Sequence, residues 1–458
     1  MQPMSDVRLS KTVESHRMRS PASWKTSRVI PAHGLFGLLV FGLMTVSGLL
    51  MPELSHAADL PDGFAKNVTG GGDAAPVRPT TLVELRKALC GSYDNHGHCS
   101  DDTPRVIEID HAFDFRGSVM INGSPTTTEM GCEVNPCPAG GGQLAINGFN
   151  GFCQDRKKAS VTYDNAGMTR LNVGSNKTLI GVGSQAAIQG IAVHIGGGVH
   201  NVIVRNLTLS DVNPQTVWAG DALIIENTDG VWISNNTFAR IGRQMIATGW
   251  MSASHITISD NEFDGRTPYS ASCDGHHYWV WLFLGDPDTV TVARNLIHDT
   301  SGRGPHAGGM ANADVTVQLV NNVYSNLSYQ GAIMPRTTYS HLLVEGNYFD
   351  HVTHPFYLDA KQPGTAFALF APGTEAENAA CQAAIGRPCV PNQQEFSGND
   401  YRPEDLNALQ AFSQHLDYLI TPLPADVAFK QVPQTAGAGK ISVAGTQAQQ
   451  LPTGPAKQ

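Results

Sequence analysis

From about Leu171 the chain repeats a pattern that few folds accommodate. KTLIGVG, AIQGIAVHI, NVIVRNLTLSDV, GVWISNNTFARI, HITISDNEFDGR, TVTVARNLIHDT, VTVQLVNNVYSNLS and SHLLVEGNYFDHV follow one another. Each is a short β-branched strand, a polar turn often holding asparagine, and a second apolar–polar strand. Asn206, Asn235, Asn261, Asn295, Asn322 and Asn347 recur at intervals of about 25–34 residues, the span of one solenoid coil. A single coil cannot bury its own apolar face, whereas stacked neighbours can, and asparagines in register can hydrogen-bond along the stack. The expected fold is therefore an all-β solenoid. A β-sandwich would show alternating hairpins with tight Asn-Gly turns, and few occur.

A chain of 458 residues exceeds one ordinary domain, but a repeat fold uses that length as a single unit. Its 47 glycines fit many turns between short strands. A formal charge of −10 argues against non-specific nucleic-acid binding, which needs a basic face. The sequence has no zinc-like paired CxxC, no Walker loop and no strand-to-helix G-x-G-x-x-G.

Residues 1–57 read as a signal peptide. Arg8, Lys11, Arg17, Arg19, Lys25 and Arg28 precede an apolar run from Leu35 to Met51 and then Ser55-His56-Ala57-Ala58. Cleavage is expected after Ala57, so the mature chain should be secreted, extracellular or periplasmic, with no membrane attachment. In an exported chain, eight cysteines read as up to four disulfides. Short loops suggest Cys90–Cys99 and Cys381–Cys389. Spacing leaves Cys132, Cys137, Cys153 and Cys273 with three possible arrangements.

Residues 58–430 form the expected solenoid domain. Phe64 to Asp73 is a glycine-rich lead-in without room for a packed helix. Thr80 to Leu89 places Leu82, Leu85 and Leu89 on one face behind a capping Thr81, which predicts a short helix covering the open end of the stack. Arg105 to Phe115 reads as the first strand. Residues 117–158 lack periodicity and carry three cysteines, and predict a long disulfide-stapled loop. Pro403 to Leu419 predicts a C-terminal helix, and residues 431–458, rich in Gln, Ala, Gly and Pro, predict a disordered tail.

The chemistry concentrates between Trp218 and Pro305, with Asp221, Arg243, Cys273, Trp279 and Arg303 dispersed over successive coils. Glycoside hydrolysis needs two carboxylates flanking the bond. Asn227-Thr228-Asp229-Gly230 resembles one motif of the β-helical polygalacturonases, but their other motifs are absent, and Asp229 reads as a turn residue before the strand at Val231. β-Elimination across a uronate instead needs a base near the proton α to the carboxyl group and positive charge as the enolate develops. Arginines suit that second task.

Here the chain closely resembles the pectin lyases of polysaccharide lyase family one. The matching stretches are FAKNVTGGGDAAPVRPTTLVELRKAL, RVIEIDHAFDF, SNKTLIGVGSQAAIQG, NPQTVWAGDA, DGVWISNNTFARIGRQ, YSASCDGHHYW, TSGRGP and IGRPCV, covering about Gly63 to Gly398. The resemblance implies a single-stranded right-handed parallel β-helix and an endo-acting lyase that cleaves methyl-esterified pectin. It places the base at Arg303 and sets Asp221 where the pectate lyase relatives help hold calcium. Arg243 stands where those relatives carry a calcium-binding acid, so a guanidinium paired with Asp221 takes over the metal's electrostatic role. No metal or other cofactor is then expected, and a monomer is. Trp218 and Trp279 match aromatic residues that stack on sugar rings, and His277 and His306 are expected to line the cleft. The family pattern implies Cys132–Cys153, Cys137–Cys273 and Cys381–Cys389, with Cys90–Cys99 as an additional bridge.

Two departures stand out. The cysteine-rich loop lacks the family's tryptophans, with Phe152 before Cys153, and His306 stands where a lysine is common. Arg303 as a base must also overcome a guanidinium pKa above about 12, which calls for desolvation and a nearby cation such as Arg243. The alternatives are a calcium-dependent pectate lyase, against which Arg243 speaks, and a non-catalytic glycan-binding solenoid.

Overall fold

A computed structural model describes residues 60–147, 151–309, 312–357, 365–370, 373–398 and 403–441. The expected signal peptide lies outside these residues. The chain winds as a parallel β-helix whose successive coils add strands to three sheets. Sheet I has nine strands, from Arg105–Ile109 and Lys177–Gly181 through to Ser340–Glu345 and Thr365–Ala368. Sheet II also has nine, from Ala112–Asp114 to Gln393–Glu395. Sheet III has seven, from Arg170–Val173 to Met334–Pro335. Pairing is parallel and in register, as in Val290↔Val317↔Leu342 of sheet I. The inward row of Val, Ile, Leu and Phe is fully buried and forms one core running along the stack. Trp232 and Phe238 are buried as their apolar neighbours imply.

The asparagine recurrence resolves into two roles. Asn236, Asn261, Asn295, Asn322, Asn347 and Asn392 form a ladder in which each Nδ2 donates to the next Oδ1 at 2.9–3.1 Å. Each ladder backbone N–H from Asn236 to Asn347 donates to that same oxygen. The residue before each of the first five ladder positions adopts a left-handed backbone: Asn235, Asp260, Arg294, Asn321 and Gly346. Asn206 and Asn235 therefore belong to the left-handed class, with Leu207 and Asn236 after them. The turn needs one residue that tolerates positive φ and one inward amide, and asparagine suits both.

The N-terminal helix forms as predicted: α1 spans Leu82–Leu89, Thr81 caps it by accepting from the Glu84 N–H, and Leu85 and Leu89 are buried. The lead-in does carry one helical turn, a 3-10 turn at Gly63–Ala65 whose Phe64 and Ala65 N–H groups donate to Thr291 and Thr257 of sheet I. The expected first strand is two strands, Arg105–Ile109 in sheet I and Ala112–Asp114 in sheet II.

The cysteine-rich stretch is more regular than predicted. Thr126–Glu133 pairs antiparallel with Lys158–Asp164, and Leu144–Ala145 links that pair to Thr216–Val217. Its Thr-rich strand is mostly solvent-facing and gives no apolar alternation to read. Near the C-terminus, α2 spans Glu375–Ile385, and the predicted helix is shortened to α3, Leu406–Ala411, followed by two 3-10 turns. The expected tail is corrected in its first part. Helix α4 runs Ala425–Thr435 and buries Ala428 and Val432 against Tyr348 and Val323. Gly437 N–H donates to Asp260 O, and Gly439 N–H to Asn206 Oδ1. Residues 442–458 lie outside the described residues.

Candidate active site

Four of the singled-out side chains stand on the turns entering four adjacent strands of sheet III. Asp221 precedes Leu223–Glu226, Arg243 precedes Ile246–Thr248, Trp279 precedes Trp281–Phe283, and Arg303 precedes His306–Ala307. Neighbouring strands lie about 4.8 Å apart, so residues scattered over more than eighty positions gather within a few coils.

Both oxygens of the Asp221 carboxylate accept a hydrogen bond. Its Oδ2 accepts from Arg243 Nη1 at 2.8 Å and its Oδ1 from the Gln244 N–H at 2.8 Å. Arg243 also lies over the Trp218 ring, 4.4 Å from its centroid, and Phe152 meets that ring edge-on at 5.9 Å. Asp221 therefore orients a guanidinium and is not a free base. Arg303 has a left-handed backbone and sits over the rings of Trp279 (4.6 Å) and Tyr278 (5.6 Å). Its Nε is buried without a hydrogen-bond partner. Burial holds its pKa below the usual guanidinium value; Tyr278 opposes that shift, and the charges of Arg243 and Arg336 reinforce it.

Trp279 differs from the expected sugar platform. It is 6 % exposed, its ring is covered by Arg303 and Tyr278, and its Nε1 donates to Gln143 Oε1 at 2.9 Å. It is a wall that desolvates Arg303. His277 and His306 are corrected too, since they are 2 % and 4 % exposed and lie behind the cleft surface. His277 Nε2 lies 3.0 Å from the carbonyls of both Arg243 and Trp279, which ties their turns together. Burial pushes its pKa down to about 4, so the ring is neutral and Nε2–H is the donor. Burial first, then the charges of Arg303 and Arg336, holds His306 well below the ordinary histidine value.

All four disulfides form in the implied pairing: Cys90–Cys99, Cys132–Cys153, Cys137–Cys273 and Cys381–Cys389. Two of them hold the loop behind the site, from which buried Gln143 reaches Trp279. Gln143 Nε2 also donates to Pro214 O (3.1 Å) and Gly242 O (2.8 Å), bracing the turn that presents Arg243. Gln143, Tyr278 and Arg336 were not singled out in the sequence. Tyr278 adjoins Trp279 in SASCDGHHYW and was the legible one; the other two are placed only by folding.

Other clusters lie elsewhere. Asp229 lies within the sheet I strand Thr228–Ser234, not in a turn before it, and pairs with His255 at 2.6 Å; both line a groove of about 310 Å³ with Phe64, Asn67, His200 and Tyr418. No residue of the arginine site lines it. Arg240 is bound by Asp211 through two hydrogen bonds, a structural pair. Asp264, His298 and Asp299 cluster, but Arg266 holds Asp264 and His298 bridges Asp299 and Glu262.

Comparison with known proteins agrees with this architecture. Residues 145–441 match the family model described as pectate lyase. Among curated proteins, the chain is 38 % identical over 381 residues to one described as "Probable pectin lyase F-1" from Aspergillus terreus, covering 83 % of this chain and 93 % of that one. It is also 38 % identical over 397 residues to "Probable pectin lyase E" from Aspergillus fumigatus, covering 86 % and 98 %. Among solved structures, a pectate lyase from Bacillus sp. N165 in complex with trigalacturonate superposes with a TM-score of 0.50 at 17 % identity, covering 83 % of this chain and 99 % of that one. A pectate lyase from Xanthomonas campestris gives 0.50 at 18 % identity, covering 83 % and 98 %. The parallel β-helix, the family match and the extent of these identities lead to one conclusion: the chain belongs to the pectate lyase family.

Proposed function

We propose that the protein is an endo-acting pectin lyase that cleaves methyl-esterified (1→4)-α-D-galacturonan by β-elimination. The observation that carries this reading is the Asp221–Arg243 pair beside a half-buried Arg303 whose Nε is shut off from solvent. A guanidinium fixed by a carboxylate supplies positive charge where an enolate develops, without a bound cation. The Arg243 guanidinium donates to Asp221 at 2.8 Å and puts a positive charge where a cation would have to sit, and on that ground we propose calcium-independent turnover.

Arg303 takes the proton from C5 of the uronate. The C5–H electron pair forms the C4=C5 double bond, the C4–O bond breaks, and the leaving oxygen takes a proton from solvent. The rings of Trp279 and Tyr278 keep water from Arg303, which lowers the cost of its neutral form. Trp218, partly exposed beneath Arg243, is the face left for a sugar ring. Partners of the same proposal are pectin as substrate, a monomeric chain, and export through the basic and apolar N-terminal segment.

The purified protein is incubated with highly esterified pectin and with pectate, each with and without EDTA, following ultraviolet absorbance of the unsaturated product. Turnover of pectin in EDTA is expected. Turnover of pectate alone, abolished by EDTA, refutes the reading in favour of a calcium-dependent pectate lyase, and no product from either polymer leaves a glycan-binding solenoid.

A further inference from the structure

Arg243 and Arg303 are presented by separate turns, and one buried side chain of the disulfide-stapled segment is bonded to the supports of both. Gln143 is 1 % exposed. Its Nε2 donates to Gly242 O, the carbonyl immediately before Arg243, at 2.8 Å, and to Pro214 O at 3.1 Å. Its Oε1 accepts from Trp279 Nε1 at 2.9 Å, and Arg303 lies over the face of that indole. The Gln143 backbone is fixed as well. Its N–H donates to Ser270 O at 3.3 Å, and its carbonyl accepts from the Val134 N–H at 3.0 Å.

The chemistry of this position calls for an amide. Methionine would fill the same space without a hydrogen bond, an ionised glutamate accepts without donating, and lysine or arginine donates without accepting. Glutamine accepts from the indole and donates to two carbonyls at once. The turn it holds is crowded: Gly242 N–H donates to Val212 O at 2.8 Å, and a Cβ on Gly242 would lie 2.3 Å from Asn213 O. His277 bonds the same two turns through the Arg243 and Trp279 carbonyls. The histidine ties backbone to backbone, whereas Gln143 ties the Arg243 turn to the indole ring itself and so fixes how that ring is rotated.

We propose that Gln143 is a positioning residue of the elimination: it sets the spacing of the Arg243 and Arg303 guanidinium groups and holds the indole plane that keeps water from Arg303. That role rests on the pectin lyase reading and deepens it, by placing control of proton abstraction in the stapled segment. Being buried, Gln143 acts through these groups and not on the polymer. Its loss therefore lowers kcat and leaves KM near the wild-type value. A loosened Trp279 also admits water to Arg303, which favours the charged guanidinium and moves activity to higher pH.

The test compares wild type, Gln143→Met, Trp279→Phe and the double variant on highly esterified pectin over a pH series. Gln143→Met keeps the volume and removes the bonds to Gly242, Pro214 and Trp279. It is expected to lower kcat about 10–10²-fold, the scale of a misplacement of about 1 Å at a reacting centre, with KM within about two-fold and the pH profile shifted upward. Trp279→Phe keeps an aromatic face and loses the indole N–H, and the same changes are expected in smaller measure. The double variant no longer strands that N–H, so it should unfold at higher denaturant than Gln143→Met while kcat and the pH profile stay altered. A folded Gln143→Met with wild-type kcat and pH profile overturns the proposal. So does a return of kcat to the wild-type value in the double variant, which reduces Gln143 to a partner for one buried N–H. Should Gln143→Met fail to fold, Trp279→Phe decides, and wild-type kcat with an unshifted pH profile overturns the role. A wild type inert on pectin sinks the lyase reading, whereas an active wild type matched by Gln143→Met sinks the positioning role alone.

Discussion

Replacing Arg243 by glutamine tests the centre of the site on two independent scales. The side chain is 20 % exposed and its partner Asp221 is 9 % exposed, so the pair is largely shielded. Breaking a buried pair by removing one partner costs about 3–5 kcal/mol; with the Gln244 N–H still donating and some solvent access, about 2–3 kcal/mol is the scaled expectation. Denaturant unfolding should show the midpoint falling by that amount at unchanged slope. Activity should fall further. One preorganised donor at a developing oxyanion is worth about 10²–10³ in kcat, so kcat on pectin should drop by that factor with KM nearly constant. Losing the nearby cation also lets the Arg303 pKa rise, so the residual activity should shift to higher pH. A variant that retains more than about a tenth of wild-type kcat refutes the assignment of Arg243 to enolate stabilisation. A stability loss without a rate loss reduces the pair to a structural brace.

His277 titrates at about 4 when folded and near 6.5 when unfolded, so the unfolded chain binds more protons between those values and stability falls as pH drops through that window, by about 3 kcal/mol. Burial raises Asp288 to about 7 and contributes the opposite slope, so the readout is the difference between wild type and His277→Gln; parallel pH–stability curves refute the account. The Cys137→Ser/Cys273→Ser double variant opens a closure between residues 136 apart and should lose about 4–5 kcal/mol in the chain-entropy view, measured by denaturant unfolding; a loss below about 1 kcal/mol refutes it. Asn295→Ala removes the middle of the ladder, leaves the Asn261 backbone N–H without its acceptor and takes the Asn295 amide from the Ile258 carbonyl, costing about 2–4 kcal/mol by thermal or denaturant unfolding; a neutral variant refutes this account of the ladder.

The sequence was most legible where local chemistry and coil geometry demand the same residue. β-Branched runs with regular spacing specified a stack, and the helix at Leu82–Leu89 followed from its leucines and Thr81. It was less legible where two roles share one residue type. Asn206 and Asn235 looked equivalent to Asn261, yet they occupy the left-handed position one residue earlier. The strands at Thr126–Glu133 and Lys158–Asp164 were missed because they face solvent and carry no apolar alternation. Helix α4 extended past the predicted boundary at residue 430 because its anchors are alanines and one valine, too small to mark an amphipathic face against a polar background.

By itself, the sequence determined the solenoid, because only stacking buries so many short apolar runs, and it determined the residue types at the site through motifs around Asp221, Arg243 and Arg303. Tertiary structure alone decided their surroundings. It turned Trp279 from a sugar platform into the wall over which Arg303 is desolvated, and it turned His277 inward as a neutral brace. It brought Gln143 and Arg336 to the site from distant segments. Contact and burial between coils depend on register and on which way each turn faces, and neither is written in the spacing of residues along the chain.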